Sequence, residues 1–162
     1  MALFAPARRT LVGGLLVVLL IALCLPVYVG QRTPWAKDGG SDLRGAAAFV
    51  HDHAAPGDVV LFDQSTKPSR DPRLALNLYP SDFAGLDDVA LKTPYVERRG
   101  LWDAVYPNRD VGARLGATDV WAIELPATSA LPDDVAFLIA RGYEVESVDR
   151  IHRTVVYHLI DD

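Results

Sequence analysis

The loop from Asp63 to Arg73 holds the side chains of this chain that are best suited to binding a polar ligand. It directly follows Val59-Val60-Leu61-Phe62, a continuous apolar run typical of a buried strand. Ligands of open α/β sheets bind beyond the carboxyl ends of the strands. Guanidinium groups form bidentate hydrogen bonds with phosphate, and a carboxylate accepts hydrogen bonds from sugar hydroxyls. We therefore predict four substrate-binding residues in this loop: Asp63, Lys67, Arg70 and Arg73.

A structural interpretation competes with each functional one. The loop could be a solvated surface segment with internal ion pairs, such as Arg70 with Asp71. Farther along the chain, Trp102 and Tyr106 could form an apolar platform for a sugar ring, or they could be core aromatics. The sequence leaves both alternatives open.

Other kinds of chemistry find little support in the sequence. His51 and His53 are two residues apart on a predicted helix, so their rings point in different directions and do not suit a metal site. Histidines in the last turn of a helix instead complement its dipole. The sequence has neither a G-x-G-x-x-G nor a Walker-type loop, and it has no G-x-S-x-G elbow. We accordingly predict no catalytic residue, no metal site and no cofactor.

An uncharged apolar run from Leu11 to Val29 dominates the N-terminal part of the chain. At about 1.5 Å per residue it is just long enough to cross a bilayer as a helix. Arg8 and Arg9 precede the run, and basic residues tend to stay in the cytoplasm. We predict a cytoplasmic N-terminus (residues 1–10), a single transmembrane helix (11–29) in the plasma membrane, a linker (30–40) and an extracytoplasmic domain (41–162).

The alternative for this run is a cleaved signal peptide. Such a peptide has a shorter apolar region and small residues at its cleavage site, and the exit sequence Leu25-Pro26-Val27-Tyr28-Val29 has no A-x-A pattern. Cys24, the only cysteine, follows the bulky Leu23, which is atypical of a lipid-attachment signal. The pattern favours an uncleaved helix with the bilayer as its partner.

The composition after residue 30 is that of one acidic domain. This part holds 21 acidic and 14 basic residues, a net charge of −7. An acidic surface argues against a nucleic-acid partner. About 130 residues remain beyond the apolar run, enough for one core.

Helical and strand patterns alternate along the outer domain. A helix is predicted from Ser41, as N-cap, to His53. Further helices are predicted at 74–79, at 110–116 and from Pro132 to a stop at Gly142, with a loop at 92–108 that has a helical turn near Trp102. Strands are predicted at 59–62, 87–91, 119–123, 143–148 and 154–160. The alternation predicts a small three-layer, Rossmann-like α/β domain with a mainly parallel sheet and an antiparallel C-terminal hairpin.

The order of these segments resembles the carboxyl-terminal end of bacterial, particularly actinobacterial, GT-C-type mannosyltransferases related to the protein O-mannosyltransferases. The resemblance covers nearly the whole chain. The segments that carry it are the apolar helix, Arg32-Thr33-Pro34, Asp42-Leu43-Arg44, Ala55 to Phe62, Tyr79 to Phe83, Asp87-Asp88-Val89 and Asp119 to Ile123.

The resemblance implies a role next to a glycosyltransferase and not catalysis by this chain. Enzymes of that family have many membrane helices, use polyprenyl-phosphate sugars and carry the catalytic acid in an early outer loop. No position here matches that loop, so the chain resembles the tail module alone, either as a gene fragment or as a separately encoded piece. Its expected role is to help bind the glycan acceptor or the lipid-linked donor, with the membrane-spanning part of such an enzyme as its partner. The alternative is a free-standing single-pass protein whose outer domain binds a protein partner or a cell-envelope glycan.

Overall fold

The computed structural model describes residues 5–33, 36, 40–126 and 131–161. The first helix, α1, runs over Ala5–Gly30 and contains the predicted apolar segment. Its described side chains, from Leu11 onward, are all exposed. By length and composition Leu11–Gly30 can cross a membrane, although a signal sequence near an N-terminus has the same properties. Five of the eleven residues of the predicted linker (34, 35 and 37–39) lie outside the described residues.

The domain that follows α1 is a mixed α/β fold built on a four-stranded sheet. Its strands are β1 (Val59–Phe62), β4 (Val120–Glu124), β6 (Thr154–Asp161) and β5 (Tyr143–Ile151), in that spatial order. The β1–β4 pair is parallel, with Val60 opposite Trp121, whereas β4–β6 and β6–β5 are antiparallel. A separate two-stranded ribbon joins β2 (Leu91–Thr93) to β3 (Ala104–Val105).

The sheet is therefore mixed and not mainly parallel, and the Rossmann-like three-layer arrangement is not confirmed. The difference arises because β6 lies between β4 and β5, although it follows both in the chain. The predicted C-terminal hairpin is confirmed: His152 and Arg153 form the turn between β5 and β6, and His152 adopts a positive φ of 53°. A strand that returns after so short a turn must pair antiparallel.

Alternate side chains of the parallel strands β1 and β4 enter two separate hydrophobic clusters. Val60 and Phe62 pack with the helices α2 (Leu43–His53) and α3 (Leu74–Leu78), whereas Val59 and Leu61 pack with α5 (Asp133–Ile139). The period of two along a strand explains this division. Burial on both faces also explains why these strands are continuously apolar in sequence.

The amphipathic helix α2 begins one residue later than expected. Asp42 is its N-cap, since its carboxylate accepts a hydrogen bond from the Gly45 N–H over 2.8 Å. The predicted cap, Ser41, instead forms a β-bridge with His152. The helix buries Ala46, Ala47 and Val50 against the sheet.

The segment between β1 and β4 differs most from the prediction. Residues 87–91 do not form the expected strand: Asp87 makes a single parallel bridge with Val59, and β2 begins only at Leu91. The helical turn expected near Trp102 lies at Tyr95–Glu97. The helix predicted at 110–116 is α4, over Asn108–Val111. These short segments lack a clear hydrophobic period, so tertiary contacts and not local pattern determine their secondary structure.

Candidate functional site

The predicted loop leaves the sheet at the carboxyl edge of the parallel β1–β4 pair. Phe62 lies opposite Ile123 in the register, and the Asp63 N–H continues the pairing to the Ile123 carbonyl at 3.0 Å. The loop then passes through a 3₁₀ turn at Pro68–Arg70 and ends at α3. Asp63 and Glu124 are consequently neighbours at the strand ends, where ligands bind in open α/β sheets.

Arg73 is a structural residue of this loop. Its guanidinium is bound by Asp88 and donates from Nε to Asp103 over 2.9 Å, with the Arg73 side chain only 7% exposed. It also lies 5.4 Å from the centre of the Phe62 ring. Burial alone would lower the pKa of Arg73, but hydrogen bonds and the charge of the two aspartates raise it. Arg73 therefore forms a buried ion pair that anchors the loop, and it also lines a cavity beside Trp102.

Asp63 is also occupied within the protein. It is 4% exposed, and its carboxylate accepts a hydrogen bond from the Ser65 N–H over 2.7 Å. This bond fixes the turn by which the chain leaves β1. Asp63 thus shapes the loop at the site without presenting its side chain to solvent.

The remaining predicted cations, Lys67 and Arg70, line a cleft of about 530 Å³ together with Arg153. All three side chains belong to exposed residues. In the described part of the chain none of them makes an ion pair. The other residues of this basic cleft are three hydroxyl-bearing and two apolar ones: Ser41, Thr66, Ser69, Leu125 and Pro126. Three free cations beside hydroxyl groups form a binding surface for an anion such as phosphate.

A second cavity, of about 190 Å³, adjoins the basic cleft and shares Thr66 with it. It contains an aromatic side chain, Trp102, together with polar groups that could bind hydroxyls: Gln64, Asp71 and Asn77. A ligand pocket typically combines an apolar wall with a few placed polar groups. The interpretation of Trp102 as a platform fits this cavity. The Tyr106 ring instead lies under Arg114, with 4.5 Å from the guanidinium carbon to the ring centre.

Thr66 links the two cavities and has unused hydrogen-bonding capacity. Its Oγ1 is buried and has no hydrogen-bond partner among the described residues. A buried polar atom without a partner costs free energy, so a ligand group that reaches this hydroxyl would be stabilised there. We call the basic cleft and the Trp102 cavity together the two-part site.

Several carboxyl groups near the two-part site have a pKa that burial raises. Burial, reinforced by the charges of Asp134 and Asp63, raises the pKa of Glu124 to about 10. Glu124 is 1% exposed, and its Oε1 lacks a hydrogen-bond partner in the described chain. It is therefore a neutral acid at pH 7. Burial also raises the pKa of Asp71 to about 6, against the hydrogen bond from the Arg73 N–H, which lowers it.

Asp134 belongs to the same group of acids and connects the loop to α4 and α5. Burial raises its pKa, while Asn108 Nδ2 and the Gln64 N–H donate to its carboxylate. Within the described residues no group of His, Cys, Asp or Glu has the geometry of a metal site. We assign structural roles to Glu124 and Asp134, which line neither cavity, whereas Asp71 lines the Trp102 cavity.

The sequence did not reveal Arg153, Asp71 or Asn77 as site residues. Arg153 lies in the β5–β6 turn and reaches the loop only because β6 pairs with β4. Asp71 stood in the sequence as a possible partner of Arg70, but its carboxylate accepts the Arg73 N–H at 2.8 Å. The available signal for Asn77 was its place as the one polar residue of the short helix that follows the candidate loop.

Comparison with known proteins gives no matching family model for this chain, and no match among curated proteins or solved structures.

Proposed function

We propose that this chain is a membrane-anchored outer domain that binds the phosphate–sugar end of a polyprenyl-phosphate sugar and assists a mannosyltransferase-like enzyme. In this proposal α1 crosses the plasma membrane, with its N-terminus in the cytoplasm and the domain outside. The observation that carries the proposal is the basic cleft: Lys67, Arg70 and Arg153 line one cavity, although the part of the chain after residue 30 has a net charge of −7.

The arrangement of the two-part site supports a ligand with an anionic and a sugar part. The cleft offers cations and hydroxyls for a phosphate, and the adjoining cavity offers Trp102 and Asp71 for a sugar ring. Because Thr66 borders both cavities, one ligand of a few linked groups can occupy them together. A free sugar or a simple phosphate would fill only one part.

The position of the basic cleft also supports a lipid-linked ligand. Ser41, which lines the cleft, directly follows the residues that connect the domain to α1. Ten residues separate Gly30 from Ser41, and a chain of that length spans at most about 35 Å. If α1 lies in the bilayer, the cleft stays within reach of phosphate groups at the membrane surface.

The proposal assigns binding and not transfer to this chain. The family that the sequence resembles places its catalytic acid in an outer loop among membrane helices, and no segment of this chain matches that loop. At the strand ends Asp63 and Glu124 are buried, and we assign Asp71, which lines the Trp102 cavity, to the binding of sugar hydroxyls. We therefore expect this chain to hold the donor for a catalytic partner.

Binding by the full chain in nanodiscs tests the proposal. We expect polyprenyl-phosphate mannose to bind more tightly than polyprenyl phosphate or free mannose, and we expect no sugar transfer by the chain alone. Equal affinity for polyprenyl-phosphate mannose and free mannose would contradict it. Measurable transfer by the isolated chain would also contradict it.

The Trp102 cavity favours one second candidate, a domain that binds a cell-envelope glycan. Its aromatic side chain and hydroxyl-binding groups do not by themselves require a phosphate. A phosphate-free mannan fragment that binds as tightly as the lipid-linked sugar would select this second function.

A further inference from the structure

The tip of the β2–β3 ribbon, residues 95–102, concentrates exposed apolar side chains on a small protrusion. Outside α1, eight large hydrophobic residues are exposed in the described chain, and four of them lie in this ribbon tip. Leu101 is 80% exposed and Val96 is 72% exposed. The other two are Tyr95 and Trp102. Side chains in such positions gain nothing from the core of the domain, and exposed apolar patches mark interaction sites.

The charges of the ribbon tip are opposite in sign to those of the domain. Arg98 and Arg99 are exposed there beside a single acid, Glu97, whereas the domain as a whole is acidic. Hydrogen bonds between side chains and backbone hold the tip in shape: the Tyr95 N–H donates to the Asp103 carboxylate over 2.7 Å, and Arg98 Nη1 donates to the Trp102 carbonyl over 3.3 Å. The tip is therefore an ordered loop with apolar side chains and two cations.

We propose that the ribbon tip docks on the surface of an anionic lipid bilayer, with Val96, Leu101 and Trp102 in the interface and Arg98 and Arg99 at the headgroups. Tryptophan and tyrosine are enriched at membrane interfaces, and basic residues are attracted to anionic lipids. The apolar helix supplies the second attachment that a weak interfacial contact needs, because a short linker raises the local concentration of the tip at the bilayer.

This docking orients the two-part site. Trp102 belongs to the ribbon tip and also lines the smaller cavity, so a docked tip places the mouth of that cavity at the membrane surface. The linker attaches beside the basic cleft at Ser41. Because the cavities that Trp102 and Ser41 line share Thr66, both attachments adjoin the two-part site and turn it toward the bilayer. The inference depends on α1 being in the membrane but not on which ligand binds.

Fluorescence of the full chain in lipid vesicles tests the docking. Cys24→Ser removes the only cysteine, and a single new cysteine then carries an environment-sensitive fluorophore either at the tip (Leu101→Cys) or at Val148 (Val148→Cys). Val148 is a matched control, because it is also apolar and is 54% exposed, but lies on β5. Neither substitution alters the core.

In vesicles of phosphatidylcholine and phosphatidylglycerol that contain spin-labelled lipid, we expect the probe at position 101 to shift to the blue and to be quenched several-fold more than the probe at 148. Arg98→Ala with Arg99→Ala should reduce that quenching, while circular dichroism stays unchanged. Equal quenching at the two positions, or stronger quenching at 148, would overturn the proposal. No ligand is present in this experiment, so its failure would leave the proposed ligand binding to be judged separately.

Discussion

The Nε–H of Arg73 donates a hydrogen bond to the Asp103 carboxylate over 2.9 Å, and both side chains are almost completely buried. This contact ties the end of the candidate loop to the base of the β2–β3 ribbon, since Asp103 directly precedes β3. It also gives Arg73 a different role from Arg70, although the sequence predicts the same role for both. Arg73 stabilises the loop, whereas Arg70 lines the basic cleft.

Arg73→Ala should therefore reduce stability. The substitution leaves the carboxylates of Asp88 and Asp103 buried without their cation, and breaking a buried pair in this way costs about 3–5 kcal/mol. Chemical denaturation followed by circular dichroism measures the effect. Arg109→Ala is the control, because the Arg109 side chain is 84% exposed and its loss should change the free energy of unfolding by less than about 0.5 kcal/mol. Equal values for the two variants would contradict the structural role of Arg73.

Trp121→Ala should destabilise the sheet by roughly 3–5 kcal/mol. Trp121 is buried on β4, and its Nε1–H donates to Asp58 over 2.9 Å. Its ring also stacks on His158, with 4.1 Å between the ring centres. Thermal unfolding checks the prediction, and a loss below about 1 kcal/mol would mean that β4 is not the centre of the core.

Much of the sheet could be predicted because its strands have strong local patterns. The runs at Val59 and Val120 are continuously apolar, and the C-terminal hairpin has a short polar turn. The order of the strands could not be predicted, since nothing local to β6 says that it lies between β4 and β5.

The candidate site could be predicted only in part, for a related reason. Lys67 and Arg70 were found because they follow a buried strand. The third cation of the cleft, Arg153, comes from a turn more than eighty residues away in the chain. The partners of Arg73 in its buried ion pair, Asp88 and Asp103, are likewise brought to it by tertiary structure.

Glu124→Gln should stabilise the protein, and more so at higher pH. The pKa of Glu124 is raised to about 10 in the fold against an ordinary value of 4.5. Between these values folding takes up a proton, so the stability of the wild type falls as pH rises, by at most about 1.4 kcal/mol per pH unit. The side chain of glutamine has nearly the shape of neutral glutamic acid, but it does not ionise, so its stability does not carry this pH dependence.

Unfolding free energies measured from pH 5 to pH 8 check this expectation. The advantage of Glu124→Gln over the wild type should grow across that range. The exposed variant Glu97→Gln is the control, since its difference from the wild type should stay nearly constant. A parallel pH profile for Glu124→Gln and the wild type would show that Glu124 is already ionised in the fold.

Ligand binding should weaken as pH falls through about 6. Burial raises the pKa of Asp71 to about 6, so its carboxylate, which lines the Trp102 cavity, is ionised at pH 7 and largely protonated at pH 5. The ionised group is the stronger acceptor for sugar hydroxyls. Titrations with polyprenyl-phosphate mannose at several pH values should show this dependence in the wild type and not in Asp71→Asn. An unchanged pH dependence in the variant would exclude Asp71 from sugar binding.

The affinity of the basic cleft for a lipid-linked phosphate sugar tests the account most directly. In nanodiscs, Arg70→Ala with Arg153→Ala should weaken the binding of polyprenyl-phosphate mannose at least tenfold, because each lost charge-assisted hydrogen bond is worth about 1.5–3 kcal/mol. The melting temperature should stay nearly unchanged, since both side chains are exposed. Arg109→Ala removes a cation elsewhere and should bind like the wild type. Equal affinity of the double variant and the wild type would contradict a ligand-binding role for the cleft.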